Sequence, residues 1–230
     1  MIVLVHGAFH GAWCFERVVP LLRDAGVNVI AVDLPGHGDD PGPFTDLHGD
    51  AARVRSVLDA QDGPVVLLGH SYGGAVVTEA GDHPAVAHLV YLCALALDEG
   101  EACSTVWVTD EEGTGIAGAL VDRGDGTATL APEGAARSLY NDCDDSTVAW
   151  ALARLGPQPL QNMAEVPAAV AWRGRPSTYV VCTADCAVPP TLQRALAKRC
   201  TTSVEWPTSH SPFLSRPELV ADLLVGLEGG

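Results

Sequence analysis

The sequence predicts an α/β protein with a doubly wound, mostly parallel sheet of about six strands, covered by helices and by an inserted helical cap. The first observation behind this prediction is the alternation of short, β-branched apolar segments with longer amphipathic ones. The second is that the short segments are nearly continuous in apolar character, which is typical of strands buried on both faces. The third is the composition, because 47% hydrophobic and 18% charged residues among 230 fit one compact domain with an insertion.

Six segments have the length and composition of strands. They are residues 2–6, 27–32, 65–69, 89–92, 179–182 and 203–206. Helix-like segments lie between or after them, over residues 13–25, 46–60, 73–82, 191–199 and 217–227. A β-α-β-α order of this kind predicts right-handed crossovers between parallel strands.

The alternation is interrupted between residues 98 and 177, where short helical pieces around 135–140 and 146–155 are separated by Asp- and Gly-rich stretches. We interpret residues 98–177 as a cap (lid) inserted from the carboxyl edge of the sheet, between core segments 1–97 and 178–230. Asp142, Asp144 and Asp145 are interpreted as a solvated turn of this cap. Aromatic side chains in or beside the cap, together with one histidine of the first loop, are possible substrate-pocket residues: His10, Trp107, Tyr140 and Trp150.

Charge and cysteine content exclude several classes of partner. The net charge of −16 repels nucleic acid and anionic membranes, so a small molecule is the expected ligand. Seven cysteines occur without any Cys-x-x-Cys pair, which disfavours a metal site and favours buried thiols in a reducing cytoplasm. The amino terminus lacks the pattern of a signal peptide and no apolar stretch of about 20 residues occurs, so we expect a cytoplasmic protein that does not enter the membrane.

The pentapeptide Gly69-His70-Ser71-Tyr72-Gly73 follows a predicted strand and opens a predicted helix. That context is typical of a nucleophile elbow, in which a strained turn raises a serine hydroxyl above the sheet edge. The flanking glycines have a physical reason, because side chains there would collide where strand and helix backbones approach closely. Ser71 is therefore the predicted nucleophile.

A serine nucleophile needs a base, usually a histidine oriented by a carboxylate. His210 follows the last predicted strand, and Asp185 follows the strand before it, so both belong at the same sheet edge as Ser71. The resulting chain order Ser, Asp, His fits this assignment. Asp98 and Asp33 also follow predicted strands and are the alternative orienting acids, with Asp185 favoured over both.

An acyl-transfer reaction also needs donors for the developing oxyanion. The loop "VHGAFHGAW" after the first strand reaches the same edge, and the residue after Ser71 opens a helix. The backbone N–H groups of Ala8 and Tyr72 are the predicted donors.

The stretches "VHGAFHGAW", "DLPGHG", "GHSYGG", "TADCAVPP" and "SHSPFLSRPELVA" together resemble the α/β-hydrolase superfamily, and in particular its compact branch of plant methylesterases, hydroxynitrile lyases and small bacterial esterases. The resemblance implies an α/β-hydrolase fold, Ser71 as nucleophile, His210 as base, Asp185 as its orienting acid, and no cofactor. Hydroxynitrile lyases of this branch carry threonine at the position of Gly7 and lysine at that of Ser211, so lyase chemistry is disfavoured. Cofactor-free oxygenases share a similar framework and stay open as an alternative.

Three hypotheses about function follow. The first is a serine carboxylesterase that cleaves a small, fairly apolar ester or lactone through an acyl-enzyme. The second is a biosynthetic enzyme that uses the same fold for non-hydrolytic work, such as cyclisation, decarboxylation or a lyase reaction. The third is a ligand-binding receptor with little turnover. The complete set of Ser71, Asp185 and His210 favours the first.

Overall fold

The computed structural model describes residues 1–107 and 115–228. Its centre is a six-stranded sheet in which every pair of neighbouring strands is parallel. The six strands are β1 Ile2–Val5, β2 Val29–Val32, β3 Val65–His70, β4 Val86–Leu92, β8 Ser177–Cys182 and β9 Thr202–Trp206. Their order along the sheet is β2-β1-β3-β4-β8-β9. The predicted doubly wound α/β fold is confirmed.

Burial follows position in the sheet. All residues of β1, β3 and β8 are buried, because these strands lie inside the sheet and are covered on both faces. The last strand, β9, differs: four of its five residues, "TSVE", are exposed. It pairs on one side only, with β8, so the edge is free and its composition is more polar than that of the inner strands.

The helices of the core are α1 Val18–Asp24, α2 Leu47–Asp59, α3 Gly73–Ala80, α7 Pro190–Ala197, α8 Pro212–Ser215 and α9 Pro217–Glu228. Helix α1 packs against α9, and α2 packs against α3. The predicted helix over 13–25 is wrong at its start, since a separate 3₁₀ turn, Ala12–Phe15, precedes α1. Pro20 explains the division: it lacks an N–H and is tolerated in the first turn of α1, whereas a helix from residue 13 would place it in the interior.

The described residues of 98–177 include the α-helices α4 Cys103–Trp107, α5 Pro132–Leu139 and α6 Asp145–Leu152. They also contain a three-stranded antiparallel sheet, in the order β5-β6-β7, which the prediction of a helical cap did not include. Its strands are β5 Leu120–Asp122, β6 Thr127–Leu130 and β7 Gln158–Pro159. Strands of two to four residues are too short to show an alternating pattern in sequence.

No helix among residues 1–107 and 115–228 is both long and apolar enough to span a bilayer.

The turn from β3 into α3 brings backbones unusually close together. A Cβ on Gly73 would lie 2.5 Å from the His6 carbonyl oxygen and 2.7 Å from that of Val5. A Cβ on Gly69 would lie 2.4 Å from the Gly73 carbonyl oxygen. Glycine at both positions is therefore what lets α3 start directly against β1 and β3.

We expect Gly73→Ala to lower the free energy of unfolding by about 1–3 kcal/mol, because the new methyl group collides with backbone that cannot move aside. Urea denaturation measures the change. Gly63→Ala is the matched control, since a Cβ at Gly63 would meet no atom within 4 Å. Equal stability of the two variants would contradict this account of the turn.

Candidate active site

Ser71 lies between β3 and α3 with φ 52°, a left-handed conformation that is unfavourable for a residue with a Cβ. Its backbone is held from several sides: its N–H donates to the Leu92 carbonyl (3.3 Å), and its carbonyl accepts from Gly74 N (2.9 Å) and Leu95 N (3.1 Å). The residue is 4% exposed. The serine therefore sits in a strained turn at the carboxyl edge of the sheet, fastened to the end of the neighbouring strand β4.

Asp185 and His210 form a buried pair, with 2.7 Å between Asp185 Oδ2 and His210 Nδ1. The carboxylate also accepts hydrogen bonds from the backbone N–H groups of Ala187 (2.7 Å) and Val188 (2.9 Å) and from Gln193 Nε2 (2.8 Å). These donors fix the carboxylate, and the carboxylate assigns the proton of the neutral imidazole to Nδ1. His210 Nε2 is left as the nitrogen that can accept a proton.

The loop that carries His210 is tied to the neighbourhood of Ser71. The carbonyl oxygen of His210 accepts from His70 Nε2 (2.9 Å) and from Cys93 Sγ (3.3 Å). Ligand atoms of His70, Cys93 and His210 lie within 4.8 Å of one another, the one group of metal-binding types found in the described part of the chain. Because His70 and Cys93 already donate to the His210 carbonyl, we interpret the group as support for this loop. No hydrogen bond joins the Ser71 hydroxyl to the His210 ring within the described residues.

The first loop contacts the serine. A Cβ on Gly7 would lie 2.8 Å from Ser71 Cβ and 2.8 Å from His70 Nδ1. The carbonyl of Gly7 accepts from His6 Nδ1 (2.8 Å), while His6 Nε2 accepts from the backbone N–H of Leu34 (3.2 Å). Since the carbonyl of Gly7 and the N–H of Ala8 belong to one planar peptide, His6 also orients the Ala8 amide.

A sequence model described as the alpha/beta hydrolase family matches residues 2–223. The chain belongs to the α/β-hydrolase family. Alpha/beta hydrolase nvfD of Aspergillus novofumigatus is 31% identical over 249 residues, covering 99% of this chain and 96% of the relative. Methylesterase 7 of Arabidopsis thaliana is 31% identical over 250 residues, covering 97% and 94%. The crystal structure of a pyrethroid hydrolase from Sphingobium faniae matches with a TM-score of 0.88 at 28% identity, covering 100% of this chain and 97% of that one. The resemblance to the branch with plant methylesterases is thereby confirmed, and this α/β hydrolase has esterases among its relatives.

The two alternative acids have other partners in this α/β hydrolase. Asp98 forms an ion pair with Arg173, with 2.5 Å between Oδ1 and Nη2. Asp33 accepts from the backbone N–H groups of Ala12 (2.6 Å) and Asp39 (3.3 Å). Asp185 is the acid that the structure places against His210.

The possible pocket residues occupy different positions. His10 Nδ1 donates to the Ala8 carbonyl (2.8 Å), and its Nε2 accepts from the Tyr140 hydroxyl (2.8 Å), with both side chains buried. Trp150 lies edge-on against Trp13 with ring centroids 5.3 Å apart. Trp107 ends α4, and its buried indole Nε1 has no partner among the described residues. The structure thus brings His10 and Tyr140 together, beside the loop that carries Ala8.

Residues of the predicted cap hold both loops of the Asp185–His210 pair, which sequence reasoning missed. Asn141 Nδ2 donates to the carbonyl of Ala184, the residue before Asp185 (3.0 Å). Asp142 Oδ2 accepts from the N–H of Ser209, the residue before His210 (2.8 Å). Asp142 lies in an exposed turn, as the sequence indicated, and in addition it bonds to the loop of His210. Gln193 was also missed, and no local motif marks any of these side chains.

Three histidines of this α/β hydrolase are buried in neutral form. Burial, together with the nearby His37, lowers the pKa of His6 to about 3. Burial is also the main cause that lowers the pKa of His10 to about 4. The pKa of His70 lies well below its ordinary value because of burial and the adjacent His210. Below pH about 6.5 each unfolded histidine binds a proton that its folded counterpart does not, so folding stability falls as the pH falls.

We expect the free energy of unfolding to be lower at pH 5.5 than at pH 7.5 by about 1.4 kcal/mol for each of these histidines. His48 acts in the opposite sense, because its hydrogen bond to Glu79 raises its pKa, but it is largely exposed to solvent and contributes less. Urea denaturation at the two pH values measures the difference. His10→Asn should reduce it by about 1.4 kcal/mol. Unchanged or greater stability of the wild type at pH 5.5 would contradict the buried neutral histidines.

Proposed function

We propose that this α/β hydrolase is a serine carboxylesterase that cleaves a small, fairly apolar ester or lactone through an acyl-enzyme. The observation that carries the proposal is the buried Asp185–His210 pair, whose loop is bonded to the residue next to Ser71. A histidine oriented by a carboxylate beside a serine in a strained elbow is the arrangement that activates a hydroxyl.

In the proposed reaction, His210 Nε2 takes the proton of Ser71 Oγ as this oxygen attacks the ester carbonyl. The tetrahedral intermediate collapses, the C–O bond to the alcohol breaks, and His210 returns the proton to the leaving alcohol. Water then attacks the acyl-enzyme with His210 again as base, which releases the acid and restores the Ser71 hydroxyl. Catalytic hydrogen bonds are often long or absent without substrate, so the unmade contact between Ser71 and His210 is compatible with these roles.

The amides of Ala8 and Tyr72 would stabilise the oxyanion. Neither N–H donates a hydrogen bond to another residue of the described chain, so both are available for a ligand. Ala8 follows Gly7, which contacts Ser71, and Tyr72 is the N-cap of α3, directly after Ser71. Loss of one such donor lowers the rate by about 10²–10³-fold in a known serine hydrolase.

The substrate class is supported by the relatives and by charge. The names "methylesterase" and "pyrethroid hydrolase" of two relatives, each about 30% identical over nearly the whole chain, describe enzymes of ester or pyrethroid cleavage. The net charge of −16 disfavours an anionic substrate. A neutral carboxylic ester or lactone fits both observations.

We expect a fluorophosphonate probe to label the wild-type protein covalently at Ser71, and short-chain nitrophenyl esters to be hydrolysed with a burst of nitrophenol. Ser71→Ala should abolish both, because the attacking oxygen is gone. Ser146→Ala is the control, since its exposed hydroxyl only donates to the carboxylate of Asp144, the N-cap of α6. Mass spectrometry locates the label. Hydrolysis that survives in Ser71→Ala would refute the proposal, and ligand binding without labelling or turnover would favour the receptor.

Asp185→Asn should lower kcat by about 10⁴-fold, since an amide at this position favours the wrong tautomer of His210. KM should change little, because Asp185 is not expected to touch the substrate. Asp98→Asn is the matched control and should keep nearly wild-type kcat. Steady-state kinetics decide between the two acids, and a larger loss in Asp98→Asn than in Asp185→Asn would reverse the assignment.

A further inference from the structure

The residue directly after Ala8 has an unusual backbone. Phe9 has φ 67°, in the left-handed region that residues with a Cβ rarely adopt, and its side chain is buried. Such a conformation persists only where the surroundings hold it in place. Because Phe9 directly follows Ala8, any group that fixes the backbone of Phe9 also limits the direction of the Ala8 N–H.

The surroundings that hold Phe9 belong to the predicted cap. The N–H of Phe9 donates to Gln158 Oε1 (3.3 Å), and its carbonyl accepts from the N–H of Gly156 (2.8 Å). Both polar backbone groups of Phe9 are therefore bonded to residues about 150 positions away in sequence, at and just before β7.

Gln158 itself is fixed in place. Its side chain is 1% exposed, and its Nε2 donates to the Pro159 carbonyl (3.4 Å). Its Oε1 also lies 3.1 Å from His37 Nε2, on the loop after β2. A buried carboxamide is unfavourable unless its polar atoms are bonded, so this side chain is held by its partners and holds them in turn.

The peptide that carries the Ala8 N–H is thus constrained from both ends. On one side, the Gly7 carbonyl accepts from His6 Nδ1 (2.8 Å) and from the N–H of His10 (3.3 Å). On the other side, Gln158 and the Gly156 amide hold Phe9. The core supplies the first constraint and the cap supplies the second.

We propose that Gln158, together with the Gly156 amide, is a positioning residue for the oxyanion donor Ala8. The inference rests on the proposed serine-esterase function. On this proposal, residues of the cap affect the rate of the chemical step as well as the choice of substrate. Since an oxyanion donor acts mainly in the transition state, loss of its positioning lowers kcat and leaves KM nearly unchanged.

The test compares Gln158→Met, which keeps the length of the side chain but removes the acceptor, with Gln158→Glu, which keeps an oxygen toward Phe9. Gln161→Met is the matched control, because Gln161 is exposed and its side chain donates to that of Glu165 and not to the loop of Ala8. On a nitrophenyl ester we expect kcat of Gln158→Met to fall on the order of 10-fold with KM within about twofold of wild type. Gln158→Glu should recover part of the loss, and Gln161→Met should match the wild type.

Two inhibitors provide a second measurement, which distinguishes a loss of oxyanion stabilisation from a general disturbance of the active site. A trifluoromethyl ketone forms a tetrahedral oxyanion on the serine, whereas the matching methyl ketone binds without forming it to any extent. Gln158→Met should raise the inhibition constant of the trifluoromethyl ketone by the same factor by which kcat falls. The inhibition constant of the methyl ketone should stay unchanged. Equal weakening of both ketones, a rise in KM alone, or an unchanged kcat would overturn the proposal.

If Gln158→Met does not fold, the variant Gly156→Pro tests the same positioning role. It removes the N–H that Phe9 O accepts from, and a Cβ at Gly156 meets no atom within 4 Å. Pro157 already biases residue 156 toward extended backbone, which proline can adopt. This variant should show the same fall in kcat with nearly constant KM, and a wild-type kcat would overturn the proposal. Absence of Ser71 labelling in the wild type would instead refute the proposed function, so the two failures are distinguishable.

Discussion

The whole site depends on the left-handed backbone of Ser71 at the end of β3. This conformation is unfavourable for a residue with a Cβ. It is maintained because the Ser71 backbone bonds to Leu92 at the end of β4, to Leu95 beyond it, and to Gly74 in α3. The direction of the serine side chain is therefore set by the packing of two central strands and a helix. The Ser71 hydroxyl is therefore held in position by its backbone, without a hydrogen bond of its own within the described residues.

The same neighbourhood also holds His210, the proposed base. His70 precedes Ser71 in the chain, and its Nε2 donates to the carbonyl of His210, as does Cys93 at the end of β4. The loops of Ser71 and His210 are thus linked through backbone and buried side chains, although no hydrogen bond joins the two side chains within the described residues. Asp185 is fixed separately, by donors of its own loop and by Gln193.

The strands, most helices and the proposed catalytic side chains were predictable because their signals are local. Ser71 stands in a glycine-flanked turn after an apolar strand, and Asp185 and His210 each follow a strand of a parallel sheet, whose carboxyl ends share one edge. The contacts of Gln158 and Asp142 were not predictable. Their partners lie 149 and 67 residues away, and a sequence does not show whether a polar residue near a turn also bonds to a distant backbone amide.

Because of these distant contacts, the predicted cap is a segment bonded to the loops of the site as well as a cover over them. Gly156 and Gln158 hold the loop of Ala8, Asn141 holds that of Asp185, and Asp142 holds that of His210. A hinge motion that lifted the whole segment would break all of these hydrogen bonds, each worth about 1 kcal/mol net, and would release three loops of the site at once. Admission of substrate by a local displacement that keeps these bonds is energetically favoured over such an opening. The segment that contains the proposed pocket residues Tyr140 and Trp150 therefore also bonds to the loops of Ala8, Asp185 and His210, and a change to the first affects the second.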